Sequence, residues 1–411
     1  MAKARRTPNG TVRSSLGSVS VTTYLDHAAT TPVRPEALAA MLPYFSGQFA
    51  NPSGSHRFAR QARQVIDEAR DEVAALIGCQ PGEVVFTSGG TESDNTAIFG
   101  VLARQGGTAL CAAAEHHAVL HAVERHNGIV VGSDRHGHVD LDQLADVLAV
   151  DSAHEVRVVS VMAVNNEVGT IADLAAVARI VRSIAPQAVL HTDAVQAPCW
   201  LDLRTVAQHV DLLSLSAHKF GGPKGIGVLM ARQGIAFDPL LVGGGQERER
   251  RSGTHNVAGI VGLTAALRVT DETRVVENDR LTVLRDRLVA CVVDELADVH
   301  ETVRPVHKVA GSAHLLIDGI ENEALLYLLD EADVYASAAS ACAAGAMEPS
   351  HVLAAMGVPT HLARGAVRLT LGTTTTAADA DRGAQVLIDA VRRLRRGTGP
   401  SASRPAVSTA S

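Results

Sequence analysis

Three features of the chain predict an α/β fold with a mostly parallel sheet, followed by a smaller α+β unit. From about residue 60 to residue 270, short runs rich in β-branched residues alternate with helical stretches, the pattern of strand–helix–strand units. Residues 278–299, "NDRLTVLRDRLVACVVDELADV", keep a helical period and could link this part to a second unit. The length of 411 residues suits two domains at roughly 100–200 residues each.

The elements follow in order. "EVVFTS" precedes "GGTESDNTAIFGVLAR", a strand, a glycine turn and a helix. "VRVVSVMAVNN" precedes "DLAAVARIVRSI", and "AVLHTDAV", "VDLLSLSAH" and "GIGVLMAR" supply further strands. Beyond the linking helix, "SAHLLIDGI" reads as a strand and "NEALLYLLDEA" as a helix, and "AVRLTLG" reads as a strand before the last helix, "AADADRGAQVLIDAVRRLRR". Between them lies "ASACAAGAMEPS", residues 339–350. Tiny side chains bury little surface, and Gly345 and Pro349 oppose one long helix, so a mobile loop carrying Cys342 is expected. A small buried hydrophobe is the other reading of that cysteine.

Composition narrows the function. Hydrophobic content of 46% and charged content of 20% support a large core. A formal net charge of −7 argues against broad nucleic-acid binding, which leaves a basic footprint. The five cysteines, Cys79, Cys111, Cys199, Cys291 and Cys342, show no paired spacing and suit a reduced, cytoplasmic compartment. No apolar run reaches membrane-spanning length. The stretch before the first acidic residue, Asp26, is basic and Ser/Thr-rich like a transit peptide, but it has no sustained amphipathic helix and is expected to be a disordered extension. The C-terminal "GTGPSASRPAVSTAS" is also expected to be disordered.

Three sites carry candidate chemistry. Gly89, Gly90 and Thr91 stand where a strand turns into a helix, and a helix N-terminus with a nearby hydroxyl can bind phosphate. A capped helix needs no ligand, so this feature is weak alone. Asp193 follows the apolar "AVL", at a strand end where ligands of open α/β sheets bind, and its carboxylate could hold a cationic ring nitrogen or serve as a turn residue. Lys219, one of only four lysines, follows another apolar strand in "SLSAHKFGGPKGIG". Burial there would depress its pKa and make the amine a nucleophile, whereas Lys224 suits a solvated turn. A phosphate cradle, an acid for a pyridinium nitrogen and a lysine for a Schiff base are together the requirements of pyridoxal phosphate.

On these residues the chain resembles the cysteine desulfurases of the NifS/IscS type, within the class V aminotransferases. The resemblance runs from "YLDHAATTPVRPEAL" to "RLTLG" through "NPSGSHRFA", "FTSGGTESDN", "AEHHAV", "VNNEVGT", "SAHKFGGPKGIG", "GGGQERERRSGT" and "SACAAGAMEPSHVL". Each motif is modest evidence, and their shared order is specific. The resemblance implies pyridoxal-phosphate fold type I with a seven-stranded sheet. The expected division is a large unit over 30–270 and a small one formed by 23–29 with 271–396, with disordered ends over 1–22 and 397–411.

The resemblance also implies roles. Lys219 should carry the cofactor, Asp193 should pair with its ring nitrogen, and Gln196 should reach its phenolic oxygen. His116 should stack on the ring and assist proton transfer, whereas His117 is expected at the surface. Asn166 should lie near ring and substrate. Gly90, Thr91, Ser216 and His218 should bind the phosphate, with Thr254 supplied by the other subunit of a homodimer. Arg368 should clamp the substrate carboxylate, helped by Asn51. Cys342 should take sulfur from L-cysteine as a persulfide, leaving L-alanine, and hand it to a protein acceptor, with no metal, nucleic acid or membrane involved.

The loop length places the chain in the longer-loop branch of the family. Ala343 and Ala344 depart from it, because hydroxyl residues usually follow the cysteine. The bland tail lacks the scaffold-docking extension common in iron–sulfur desulfurases. That opposes a docked iron–sulfur scaffold and suits a more specialised relative, such as a DndA-like enzyme of DNA phosphorothioation, beside iron–sulfur assembly and tRNA thiolation as pathways. A selenocysteine lyase and an aminotransferase with no task for Cys342 are the rival activities. A non-catalytic interaction protein is opposed by Lys219, Asp193, His116 and Cys342 together.

Overall fold

The structure is a computed structural model that describes residues 22–150, 155–338 and 350–397. Cys342, most of the segment before residue 23 and the tail after 397 lie outside the described residues. In chain order the strands are β1 (Thr23–Tyr24), β2 (Val84–Thr87), β3 (Thr108–Ala112), β4 (Ile129–Val131), β5 (Val156–Ser160) and β6 (Val189–Asp193). Then come β7 (Leu212–Ser216), β8 (Gly227–Ala231), β9 (Val299–Glu301), β10 (Ser312–Ile317), β11 (Val334–Tyr335) and β12 (Ala366–Thr370).

Seven strands form the main sheet in the order β2-β8-β7-β6-β5-β3-β4. The pairs from β7 through β6, β5 and β3 to β4 are parallel, and β8 runs antiparallel to both of its neighbours. The expected seven-stranded, mostly parallel sheet is therefore present. Every residue of β2, β6, β7 and β8 is buried, as expected for strands covered on both faces. Because β2 opposes β8 and β8 opposes β7, β2 points the same way as the parallel set. The C-terminal ends of β2, β3, β5, β6 and β7 therefore share one edge, and the turns that follow them converge.

The helix Val257–Glu295 is 39 residues long and starts on Asn256, whose side chain accepts from the Gly259 N–H. The sequence reading recognised only its second part. The first part, "VAGIVGLTAAL", is buried on nearly every side and so shows no amphipathic stripe. Ile260, Leu263 and Leu267 pack into the core of the main sheet. Leu281, Leu284, Leu288 and Val292 pack into a second core with Leu315 and Ile317 of β10, Leu369 of β12 and Leu387, Ile388 and Val391 of the last helix. β10 lies between β9 and β12 in an antiparallel three-stranded sheet, and β1 pairs parallel with β11.

One buried ion pair fixes the segment between β8 and the long helix. Arg70 holds both oxygens of Glu247 at 2.6 and 2.8 Å, and Glu247 also accepts from the Phe86 N–H and pairs with His255 at 2.8 Å. Glu247, Arg248 and Glu249 have φ values of 50°, 59° and 65°, a left-handed run that non-glycine residues adopt only under tertiary constraint. These contacts hold the Glu247 carboxyl down at a pKa of about 2, led by the hydrogen bonds from His255 and Arg70 against the opposing pull of burial. Arg70→Ala would leave a buried carboxylate without its cation, so it should lower unfolding free energy by about 3–5 kcal/mol. Urea denaturation followed by circular dichroism checks this, and an unchanged midpoint would contradict it.

Candidate active site

The converging turns enclose a cavity of about 290 Å³ lined by Gly90, Thr91, Asp94, His116, Asn166, Asp193, Gln196, Ser216, His218, Lys219 and Arg368, among others. Nearly all of the side chains expected from the sequence meet here. Asn51 and Thr254 do not line it. Asn51 accepts the Ser53 N–H in a local turn, and Thr254 is exposed just beyond the left-handed run.

Each group arrives from its own strand end. The helix Gly90–Gln105 starts at the cavity, and its first N–H groups have no intrahelical partners. A Cβ on Gly90 would meet Val195 Cγ2 at 2.7 Å, so only glycine allows this approach. Ser216 ends β7, and the short turn Ala217–Lys219 after it carries His218 and Lys219. Burial, with Lys219 and Lys224 nearby, pushes His218 down to a pKa of about 4, leaving it neutral near pH 7. These groups make an anion cradle with hydroxyl and N–H donors.

Lys219 is the amine of the site. Its Nζ donates to the carbonyls of Ala28 at 2.5 Å and Ala29 at 2.9 Å. Burial, followed by the nearby Arg368, brings its pKa down to about 8, while Asp193 and Asp26 oppose the shift. Asp193 ends β6, is buried, and accepts the Val195 N–H at 2.8 Å. Burial raises its pKa, and His116 and Lys219 pull it back. His116 caps the helix His117–Arg125, with Nδ1 accepting the Ala118 N–H. In the neutral ring that leaves the proton on Nε2.

Arg368 sits in β12, 4% exposed, and donates to the Asn166 carbonyl at 2.8 Å and to Asp26 at 2.6 Å. Its Nε has no partner among the described residues. Gln196 donates to the Ala28 carbonyl at 2.8 Å. His117, expected at the surface, is half-buried and packs on His121 and His351, with ring centroids 4.8 and 4.3 Å apart.

The sequence reading missed two buried carboxyl groups. Asp94 lies one helical turn after Gly90 on the same face, a spacing that could have flagged it. Glu115 precedes His116 and accepts the Met162 N–H at 2.6 Å. Burial raises both pKa values well above the usual range, and the neighbouring Asp193 adds to this. Asp94, His116 and Asp193 each offer a ligand atom within 4.8 Å of the others, the spacing of a metal site, but the set faces the cavity that also holds the amine and the anion cradle. A buried acid at a strand end, an amine with a depressed pKa, an anion cradle and a wall that admits only glycine fit pyridoxal phosphate.

Known proteins point the same way. The aminotransferase class-V family matches residues 23–382. The cysteine desulfurase IscS of Methanosarcina thermophila is 40% identical over 380 residues, covering 90% of this chain and 92% of that protein. The IscS-like cysteine desulfurase of Mycobacterium tuberculosis is 42% identical over 387 residues, covering 91% and 97%. Among solved structures, a NifS-like protein superposes with a TM-score of 0.84 at 31% identity, covering 91% of this chain and all of that one. DndA from Streptomyces lividans superposes at 0.70 and 30% identity, covering 85% and 99%.

The depressed amine gives a pH prediction. Only neutral Lys219 attacks an aldehyde, so the rate at which the cofactor-free protein captures pyridoxal phosphate should rise with pH through a midpoint near about 8. Arg368→Met removes a cation that lowers this pKa and frees Asp26, which raises it, so the midpoint should move upward. Stopped-flow absorbance measures both, and a midpoint that stays in place in the variant would contradict the assignment.

Proposed function

The chain belongs to the class-V aminotransferase family and is a pyridoxal-phosphate-dependent cysteine desulfurase, and from that premise we propose that Cys342 takes the sulfur of L-cysteine and passes it to a protein acceptor. The observation that carries this reading is the meeting of Lys219, Asp193, His116 and Arg368 in one cavity of a chain with a cysteine in the small-residue segment 339–349.

The bound cofactor supplies an electron-withdrawing ring that stores the charge left when the α-proton of L-cysteine departs. Asp193 holds the ring nitrogen in its cationic form. Ser216, His218, Thr91 and the helix start at Gly90 hold the phosphate. Gln196 and Asn166 orient ring and substrate. Arg368 exchanges Asp26 for the substrate carboxylate, a planar match for its guanidinium. Lys219, with a pKa of about 8, moves the α-proton as the neutral amine. The Nε2 proton of His116 would assist proton transfer. The Cys342 thiolate attacks the substrate sulfur, so an S–S bond forms and the C–S bond breaks. The electron pair stays with carbon, which takes a proton and leaves as L-alanine.

The protein works as a homodimer in this reading, with Thr254 reaching the other subunit's phosphate. Its exposure outside the cavity of its own chain supports this. So do the exposed apolar side chains Leu38, Leu42, Phe45 and Phe49, and those of Leu240 to Val242. The four described cysteines are free, which suits a reducing cytoplasm.

Cys342→Ser should keep the cofactor's near-visible absorption and still bind L-cysteine, yet form almost no alanine and no persulfide, because a hydroxyl is far less ionised than a thiol. Turnover near the wild-type rate would reject the carrier role. For the dimer, Thr254→Ala should weaken cofactor binding about tenfold, the scale of one lost hydrogen bond to an anion. Mixing it with Lys219→Ala subunits should restore one site of normal affinity per heterodimer. Failure to restore it would place Thr254 in its own subunit's site.

A further inference from the structure

Asp94 is a carboxyl group that the mechanism above does not use. It is 1% exposed and lines the cofactor cavity. One of its oxygens comes within 4.8 Å of the Asp193 carboxylate and of a His116 ring nitrogen. Its Oδ1 has no hydrogen-bond partner, and His191 Nε2 stands 3.6 Å away. His191 is fully buried between Ser160, at 2.8 Å from Nδ1, and Ser214, at 3.0 Å from Nε2.

Among the described residues, the His191 imidazole is the basic group that approaches Asp94, and no lysine or arginine pairs with it. Burial drives the His191 pKa down to about 3, so the ring is neutral. Burial also lowers the His116 pKa, although Asp193 pulls it up. Glu115, the third carboxyl here, is also buried and leaves its Oε2 without a partner. The Lys219 amine is held by the Ala28 and Ala29 carbonyls, and the one positive group beside the carboxyls would be a bound cofactor's ring nitrogen, paired by Asp193. Two adjacent buried carboxyls that share one counter-charge do not both ionise.

We propose that Asp94 is a positioning residue that works as the neutral acid, packing beneath Asp193 and His191 and fixing the Asp193 carboxylate for the ring nitrogen without adding charge. An O–H on Asp94 satisfies the orphaned oxygen, with the Asp193 carboxylate, Ser214 and His191 as its neighbours. A neutral amide of the same shape should therefore replace it, and a side chain without a polar head should not.

This inference rests on the cavity being the cofactor site. In the full-length dimer, Asp94→Asn should bind pyridoxal phosphate within about twofold of the unmutated protein, with the pH midpoint of its near-visible absorption unmoved. Asp94→Ala should bind about tenfold more weakly, the scale of a lost buried hydrogen bond, and shift that midpoint as Asp193 loses its support. Asp94→Leu, apolar and close to aspartate in shape, provides the same comparison if the alanine variant does not fold. If Asp94→Asn is as impaired as Asp94→Ala, Asp94 acts as an anion and the proposal is overturned. If neither Ala nor Leu changes affinity or midpoint, it positions nothing and the proposal is likewise overturned. If the unmutated protein gives no such absorption, the site reading itself has failed.

Discussion

The site depends on one short strap of backbone, Asp26–Thr31. Lys219 donates to the carbonyls of Ala28 and Ala29, and Gln196 also donates to Ala28. Thr30 meets His218 at 3.1 Å, and Thr31 accepts the Gly221 N–H and donates to the His218 carbonyl. Asp26 neutralises Arg368. Amine, amide, imidazole and guanidinium are thus each held by the same six residues. In the proposed mechanism ligand binding is an exchange, in which cofactor and substrate displace partners already in place. The affinity for L-cysteine would then be the difference between its carboxylate and that of Asp26 on a largely buried guanidinium.

Charge is the second constraint. Three carboxyls, Asp94, Glu115 and Asp193, are buried within one layer at the edge of the sheet. They come from the first helix turn after β2, the turn after β3 and the end of β6. A parallel sheet aims all of these ends at one place, so the architecture that assembles the site also crowds like charges within it. Burial then selects neutral forms for most of them. The same desolvation that lowers the Lys219 pKa raises those of the acids.

Much of this was legible in the sequence. Lys219 and Asp193 stood out because each ends an apolar run, and in a parallel sheet the run's end is the ligand edge. Gly90 was visible as a turn glycine, although the collision with Val195 that demands it comes from a residue 105 positions away. Arg368 could be assigned only through resemblance, since an arginine in "VRLTLG" looks like any strand residue. Asp94 and Glu115 went unseen because an acid in a helix or a turn is usually solvated, and only tertiary packing seals these two. The long helix was half-read for a related reason. Its first part is apolar on every side, and periodicity fades where no face meets water. Cys342 had two readings until the resemblance gave it a task, and it lies outside the described residues.

The strap also sets an order of events during synthesis. β1 pairs with β11 through Thr23 and Val334, and Asp26 finds Arg368 342 positions further along the chain. The ribosome releases Lys219, Asp193 and His116 well before these partners exist. The main sheet is complete by residue 231, whereas the strap's tie to Arg368 cannot form until β12 has emerged. Closing such a distant contact is slow, and unfastened intermediates expose apolar surface. The guanidinium is therefore the last of these groups to join the strap, and a message cut short before β12 yields a sheet with its lysine but without that cation.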